Sequence, residues 1–136
     1  MSDRSEWKLS FRRLPEVGRH VVEATFDQVT LHDVDDVEEW ERRVREELDA
    51  FGPDLLLLID LSELHIKPRA SSAFGETRAR VLEAFTSRSF RHGGDGWTRA
   101  SINTSRALHG ADSNLFEDRE AALAALREHL AARAAE

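Results

Sequence analysis

Ser71 and Ser72, two and three residues beyond Arg69, are the residues in this chain whose types and spacing most suggest chemistry. A serine at a helix start can carry a phosphate, which gains from the positive end of the helix dipole and from a nearby guanidinium, and adds nearly two negative charges. The competing reading is a helix cap, because serine is a preferred N-cap residue in any protein. Gly93, Gly94 and Gly96, followed by Arg99, could bring backbone N–H groups to a phosphate. Their spacing is not G-x-x-x-x-G-K-[ST], and they follow a stretch that reads as helix where a phosphate loop follows a strand, so a flexible turn or hinge is expected. Six histidines, at 20, 32, 65, 92, 109 and 129, include no i, i+4 or i, i+2 pair that would place two imidazoles on one metal. His65 stands apart because it follows the most apolar run of the chain. Asp60 and Asp112 could act as acid and base, yet no nucleophile, oxyanion donor pair or second carboxylate at fixed spacing accompanies them. The chain has no cysteine, which excludes thiol catalysis, cysteine-ligated metal and disulfides. These residues favour a protein that is not an enzyme and holds neither cofactor nor metal.

The elements that must position them are organised around residues 54–62, DLLLLIDLS. Leu55, Leu56, Leu57, Leu58 and Ile59 leave no face for water, so the run reads as a central strand covered on both faces. It is too short for a membrane helix, which needs about 20 apolar residues. Open α/β sheets bind ligands outside the carboxyl ends of their strands, which places a site within residues 60–72. Before this strand, residues 7–11 (WKLSF) and 20–29 (HVVEATFDQV) read as a hairpin around the turn residues Pro15 and Gly18. Asp35 and Asp36 open a helix whose stripe is Val37, Trp40, Val44, Leu48 and Phe51, ended by Gly52 and Pro53. After it, Ser71 or Ser72 caps a second helix with Phe74, Val81, Leu82 and Phe85 on one side, fraying between residues 87 and 92. Residues 97–103 (WTRASIN) read as a strand, residues 105–109 as a brief helical turn, and residues 114–116 as a short edge strand. Asp118 caps a last helix with Leu123, Leu126 and Leu130. The expected fold is a single α/β domain over residues 1–136, with residues 1–6 frayed, a mixed sheet of four or five strands and three long helices.

A net charge of −7 repels phosphate backbones, so no nucleic-acid partner is expected. The N-terminal segment holds only Trp7, Leu9, Phe11 and Leu14 scattered among charges, and neither an export signal nor a transmembrane segment is visible. A cytoplasmic location is the default.

Three stretches taken together resemble the STAS-like fold (sulfate transporter and anti-sigma factor antagonist), and within it the small bacterial group similar to the sporulation stage II AA protein, SpoIIAA. They are the N-terminal hairpin before a helix, residues 58–75 (LIDLSELHIKPRASSAFG) and residues 114–126 (NLFEDREAALAAL). Antagonist domains typically read Asp-Leu/Phe-Ser, a short loop, then Asp-Ser-Ser-Gly-Leu-Gly opening a helix; Ser71, Ser72 and Gly75 fit that ending, while Ala70 and Ala73 replace the usual Asp and Gly. The resemblance implies a partner-switching module whose phosphorylated serine corresponds to Ser71. Relatives without the phosphosite are similar in fold to lipid-carrying domains of the CRAL-TRIO type, which implies an apolar guest between helices and sheet.

Two functions are therefore expected. The first is a regulatory or scaffold module that binds a protein partner through Asp60, Ser62, His65, Arg69, Ser71, Ser72 and Phe74, with Ser71 as phosphosite. The second is a carrier or sensor of a small apolar or amphipathic ligand, held near Phe74, Val81, Phe85, Phe90 and Trp97, with the Gly93 to Gly96 hinge letting the helix swing. Pairing of two copies is left open.

Overall fold

The structure is a computed structural model that describes residues 4–109 and 114–134. Its main sheet has five strands in the order β1-β2-β4-β6-β7. β1 (Lys8–Arg13) runs antiparallel to β2 (Val21–Asp27), whereas β2, β4 (Leu55–Asp60), β6 (Thr86–His92) and β7 (Leu115–Phe116) are parallel neighbours. A second, two-stranded sheet pairs β3 (Val29–Leu31) with β5 (Leu64–Ile66). Four α-helices complete the described chain: α1 (Val34–Asp49), α2 (Pro68–Phe85), α3 (Gly96–His109) and α4 (Arg119–Ala134).

β4 occupies the middle of the sheet, as its unbroken aliphatic run requires. Leu55 and Leu57 join Phe26, Trp40, Phe74, Val81 and Ile102 in the larger core, under α1, α2 and α3. Leu56 and Leu58 face the other way, into a smaller core with Val21, Phe90, Ala122 and Leu126 of α4. The alternation of a strand thus distributes one apolar run between two cores. α1 follows its expected stripe, with Val37, Trp40, Val44 and Leu48 buried. Asp33 is its cap, accepting from the backbone N–H of Asp36 at 3.1 Å. Asp36 itself is buried and accepts from Arg4 Nε at 2.8 Å and from the His32 backbone N–H at 2.9 Å. Arg4–Glu6, expected to fray, consequently form a short 3-10 turn. On the opposite side, buried Glu23 accepts from Arg12 and Arg119, each at 2.7 Å, which ties β1 and α4 to β2.

Four expectations need correction. The segment 20–29 is not one strand: Gln28 adopts a positive φ of 56°, and the chain after it leaves the main sheet to pair with β5. α2 starts at Pro68, with Lys67 at the N-cap, so neither Ser71 nor Ser72 is a cap. Residues 87–92 are not a fraying helix end but lie in β6, a strand that holds one large apolar residue, Phe90, among buried Ser89, Arg91 and His92. Thr86 makes the break, with extended backbone and its hydroxyl donating to Leu82 O at 2.7 Å. Residues 97–103 are helix, not strand, so there are four α-helices among the described residues where three long ones were expected. Asp95 caps α3, accepting from the Thr98 backbone N–H at 2.8 Å, and Thr98, Ser101 and Ile102 face inward at helical spacing.

Candidate functional site

The parallel strands β4 and β6 end at the same edge of the sheet, and the loops leaving them meet there. Asp60 is half-buried and its Oδ1 accepts from the Ser62 backbone N–H at 2.9 Å, so this carboxylate closes a turn. Gly93 fits tightly against that turn: a Cβ there would lie 2.7 Å from Ser62 Oγ and 3.2 Å from Ser62 N, and its φ is +77°. The glycines therefore follow a strand and precede a helix, and join β6 to α3 instead of hinging the end of α2. His65, in the middle of β5, reaches across to α3, with Nδ1 2.7 Å from Asp95 Oδ2 and Nε2 3.7 Å from Glu63 Oε2. Burial pushes the Asp95 carboxyl up, but the hydrogen bonds from His65 and from the Thr98 backbone N–H outweigh it and hold it below the ordinary carboxylate range. Thr98 Oγ1 also donates to Leu64 O at 3.0 Å, fastening α3 to β5.

Beside this edge the first turns of α2 lie against α3. Ser71 Oγ and Ser101 Oγ are 2.7 Å apart, one donating to the other across the helix pair. They lie in an open groove of about 240 Å³ lined by Pro68, Ser71, Ser72, Gly75, Ser101, Thr104 and Leu108. The start of α2 has no side-chain cap and no acidic residue in its first turn, while Lys67 and Arg69 are exposed there. The positive end of the helix dipole is thus reinforced by two cations. The arrangement favours contact with a negatively charged group. Among the described residues it holds no nucleophile paired with a base.

Of the expected partner surface, Ser71 and Ser72 line this groove. Ser62, Arg69 and Ser72 are exposed, Asp60, His65 and Ser71 are half-buried, and Phe74 points inward as part of the larger core. The expected apolar pocket does not converge. Phe74 and Val81 line a narrow cavity of about 40 Å³ between the sheet, α1 and α2, together with Trp40 and the buried side chains of Arg78 and Arg91. Phe85 is packed at the margin of that core under the Arg45 guanidinium, 5.7 Å from its ring centroid. Phe90 lies in the other core, 6.4 Å from Phe116 between ring centroids. Trp97 is 60% exposed on α3. Asp112 lies outside the described residues.

Sequence reasoning missed Ser101, Asp95, Thr98 and the buried Arg78 and Arg91. Asp95 and Thr98 were signalled by the Asp-x-x-Thr spacing of a capped helix start. Nothing local signals that Ser101 meets Ser71, which is thirty residues away.

No protein-family model matches this chain, and no curated protein matches it. Among solved structures it is similar to an uncharacterised protein of the DUF3478 family with a SpoIIAA-like fold from Shewanella loihica. The two are 17% identical, the match covers 88% of this chain and 93% of that one, and the TM-score is 0.57. At that identity the likeness concerns the fold alone: the chain has a SpoIIAA-like α/β fold. Among the described residues no helix is long and apolar enough to cross a membrane.

Proposed function

We propose that this protein is a non-enzymatic regulatory or scaffold module that binds a protein partner through the loop and helix start after β4. The observation that carries this reading is the groove between α2 and α3, open to solvent, with the Ser71–Ser101 hydroxyl pair in it and the unneutralised Lys67 and Arg69 at its mouth. A partner that presents a carboxylate or a phosphate there meets cations and the positive end of a helix together. Ser71 is the proposed point of control. A phosphate on its oxygen would break the hydroxyl pair and place close to two negative charges between α2 and α3, which changes both the shape and the charge of the surface.

Capture of partners from the native lysate, followed by affinity measurement with each purified partner, tests the proposal. Arg69→Glu and Ser72→Glu alter exposed residues, leave the fold intact and should weaken binding by about tenfold or more. Ser71→Asp should change affinity for the same partner. Unchanged affinities in all three variants would remove this surface from the function.

The carrier reading rests on the 40 Å³ cavity, which is far smaller than the roughly 300–1,000 Å³ of ordinary ligand pockets. A lipid chain would enter only if α2 moved away from the sheet. Mass spectrometry of organic extracts from the native protein tests it directly, and a stoichiometric apolar guest would displace the partner-binding reading.

A further inference from the structure

Helix α3 presents an exposed, uncharged stripe that begins at Trp97 and ends at the wall of the groove beside α2, which Thr104 and Leu108 line. Trp97, Ala100, Thr104, Ala107 and Leu108 recur at spacings of three, four, three and one, which puts them within about one third of the helix circumference. All five are exposed, Trp97 at 60% and Leu108 at 71%, and none is charged. The spacing is that of a helix–helix seam. We infer that this stripe is the contact between two copies of the chain, paired through α3 in antiparallel orientation.

Two observations select a second copy as the occupant. The first is symmetry within the stripe. Its bulky members stand at the two ends, three turns apart, and its small members lie between them. A twofold axis crossing α3 near Ile102 and Asn103 lays Trp97 of each copy on Leu108 of the other, while Ala100, Thr104 and Ala107 let the helices approach closely. A contact that matches itself under a twofold rotation is what closes a dimer.

The second is charge. Each chain carries −7, so two copies repel wherever acidic surfaces meet. α1 bears eight acidic residues, and α2 and α4 bear Glu76, Glu83, Glu120 and Glu128, whereas α3 has no Asp or Glu and its stripe is uncharged. Antiparallel pairing also sets opposed helix dipoles side by side. This face is where two such acidic molecules can approach with least repulsion. A helix of 14 residues is about 21 Å long, so its seam buries less than the roughly 800 Å² per partner of a standard stable interface. The dimer is accordingly weak and depends on protein concentration.

Sedimentation of the full chain from micromolar to near-millimolar concentration tests the inference. The expected result is a reversible monomer–dimer equilibrium whose dissociation constant rises by about tenfold or more in Leu108→Glu and in Trp97→Glu. Both side chains are exposed, so the variants keep the fold, which circular dichroism checks. The absence of cysteine supplies a second readout. Thr104→Cys places the lone thiol of each copy beside the axis and should yield a disulfide dimer under mild oxidation, while Glu47→Cys on α1 should not. A chain that stays monomeric at every concentration overturns the inference. So does a dimer untouched by Leu108→Glu and not trapped through residue 104, which would pair through another face. A monomer that floats with phosphatidylglycerol vesicles, and ceases to do so as Leu108→Glu, would assign the stripe to a lipid surface and equally overturn it. Thr104 and Leu108 also line the groove of the partner-binding reading, so the two are separated by Trp97→Glu, which lies outside that groove and should raise the dimer dissociation constant without changing partner affinity, and by Arg69→Glu, which should do the reverse.

Discussion

Helices α1 and α3 pack on the same side of the central sheet and contribute to the same core, but they distribute their residues in opposite ways. α1 buries Val37, Trp40, Val44 and Leu48 and turns its charges to water, where Arg42, Arg43 and Arg45 pair with Glu39, Glu41 and Glu46. α3 turns Thr98, Ser101 and Ile102 inward and leaves Trp97 and Leu108 outside. Apolar periodicity therefore describes α1 and misdescribes α3. The difference teaches that a helix held by hydrogen bonds, such as those of Asp95 and Thr98, carries little of the pattern by which helices are recognised.

The largest expected effect lies in α1. Trp40 packs against Phe26 and Phe74, with ring centroids at 6.0 and 5.3 Å, so Trp40→Ala should destabilise by about 3–5 kcal/mol in urea unfolding. An unchanged midpoint would break the contrast between the helices. In α3 only Ile102 is a buried large apolar side chain, and Ile102→Ala should cost about 2–4 kcal/mol, measured in the same titration. A loss as great as that of Trp40→Ala would show that α3 depends on its core residue as much as α1 does.

Next comes the junction that aims α3. Gly93→Ala combines a left-handed φ with a Cβ that meets Ser62, and should lower stability by about 1–3 kcal/mol with a matching fall in melting temperature. The Asp95 cap should be worth less: Asp95→Ala is expected to cost about 1 kcal/mol at neutral pH. Its sign with pH follows from the depressed folded-state value. The contribution is present above the unfolded carboxylate pKa of about 3.9 and is lost as pH falls through the lower folded value, so wild type and variant should converge in acid. On α1, hydrogen bonds from Arg42 and Arg43 hold the Glu39 carboxyl at about 2. The smallest effects belong to the outer stripe. Trp97→Ser and Leu108→Ser, studied in dilute protein, should stay within about 0.5 kcal/mol of wild type. A larger loss would mean that the stripe already packs within one chain.

The fold was legible wherever burial was concentrated in consecutive or regularly spaced residues. The run from Leu55 to Ile59 announced a strand covered on both faces, and the stripe of α1 announced its partner layer. β6 was not legible, because three of its four buried residues are polar, Ser89, Arg91 and His92, and their burial is decided by neighbouring β4 and by the helices that cover the two faces of the sheet. For the candidate site, the sequence indicated a stretch of chain and not a geometry. Residues 60–72 do lie at the carboxyl edge of the sheet, yet the roles expected for Ser71 and for the glycines shifted once α2 was found to begin at Pro68 and the glycines to follow a strand.

By itself, then, the sequence determined an acidic, cysteine-free α/β chain built around one aliphatic strand, because composition and the spacing of large apolar residues are properties of neighbours along the chain. Only the tertiary structure decided that Ser71 faces Ser101, that His65 holds Asp95, and that Trp97 and Leu108 stay outside. These contacts join residues separated by about thirty positions or divide the two faces of one helix. Such choices depend on which surfaces the sheet has already covered, and no local pattern encodes that.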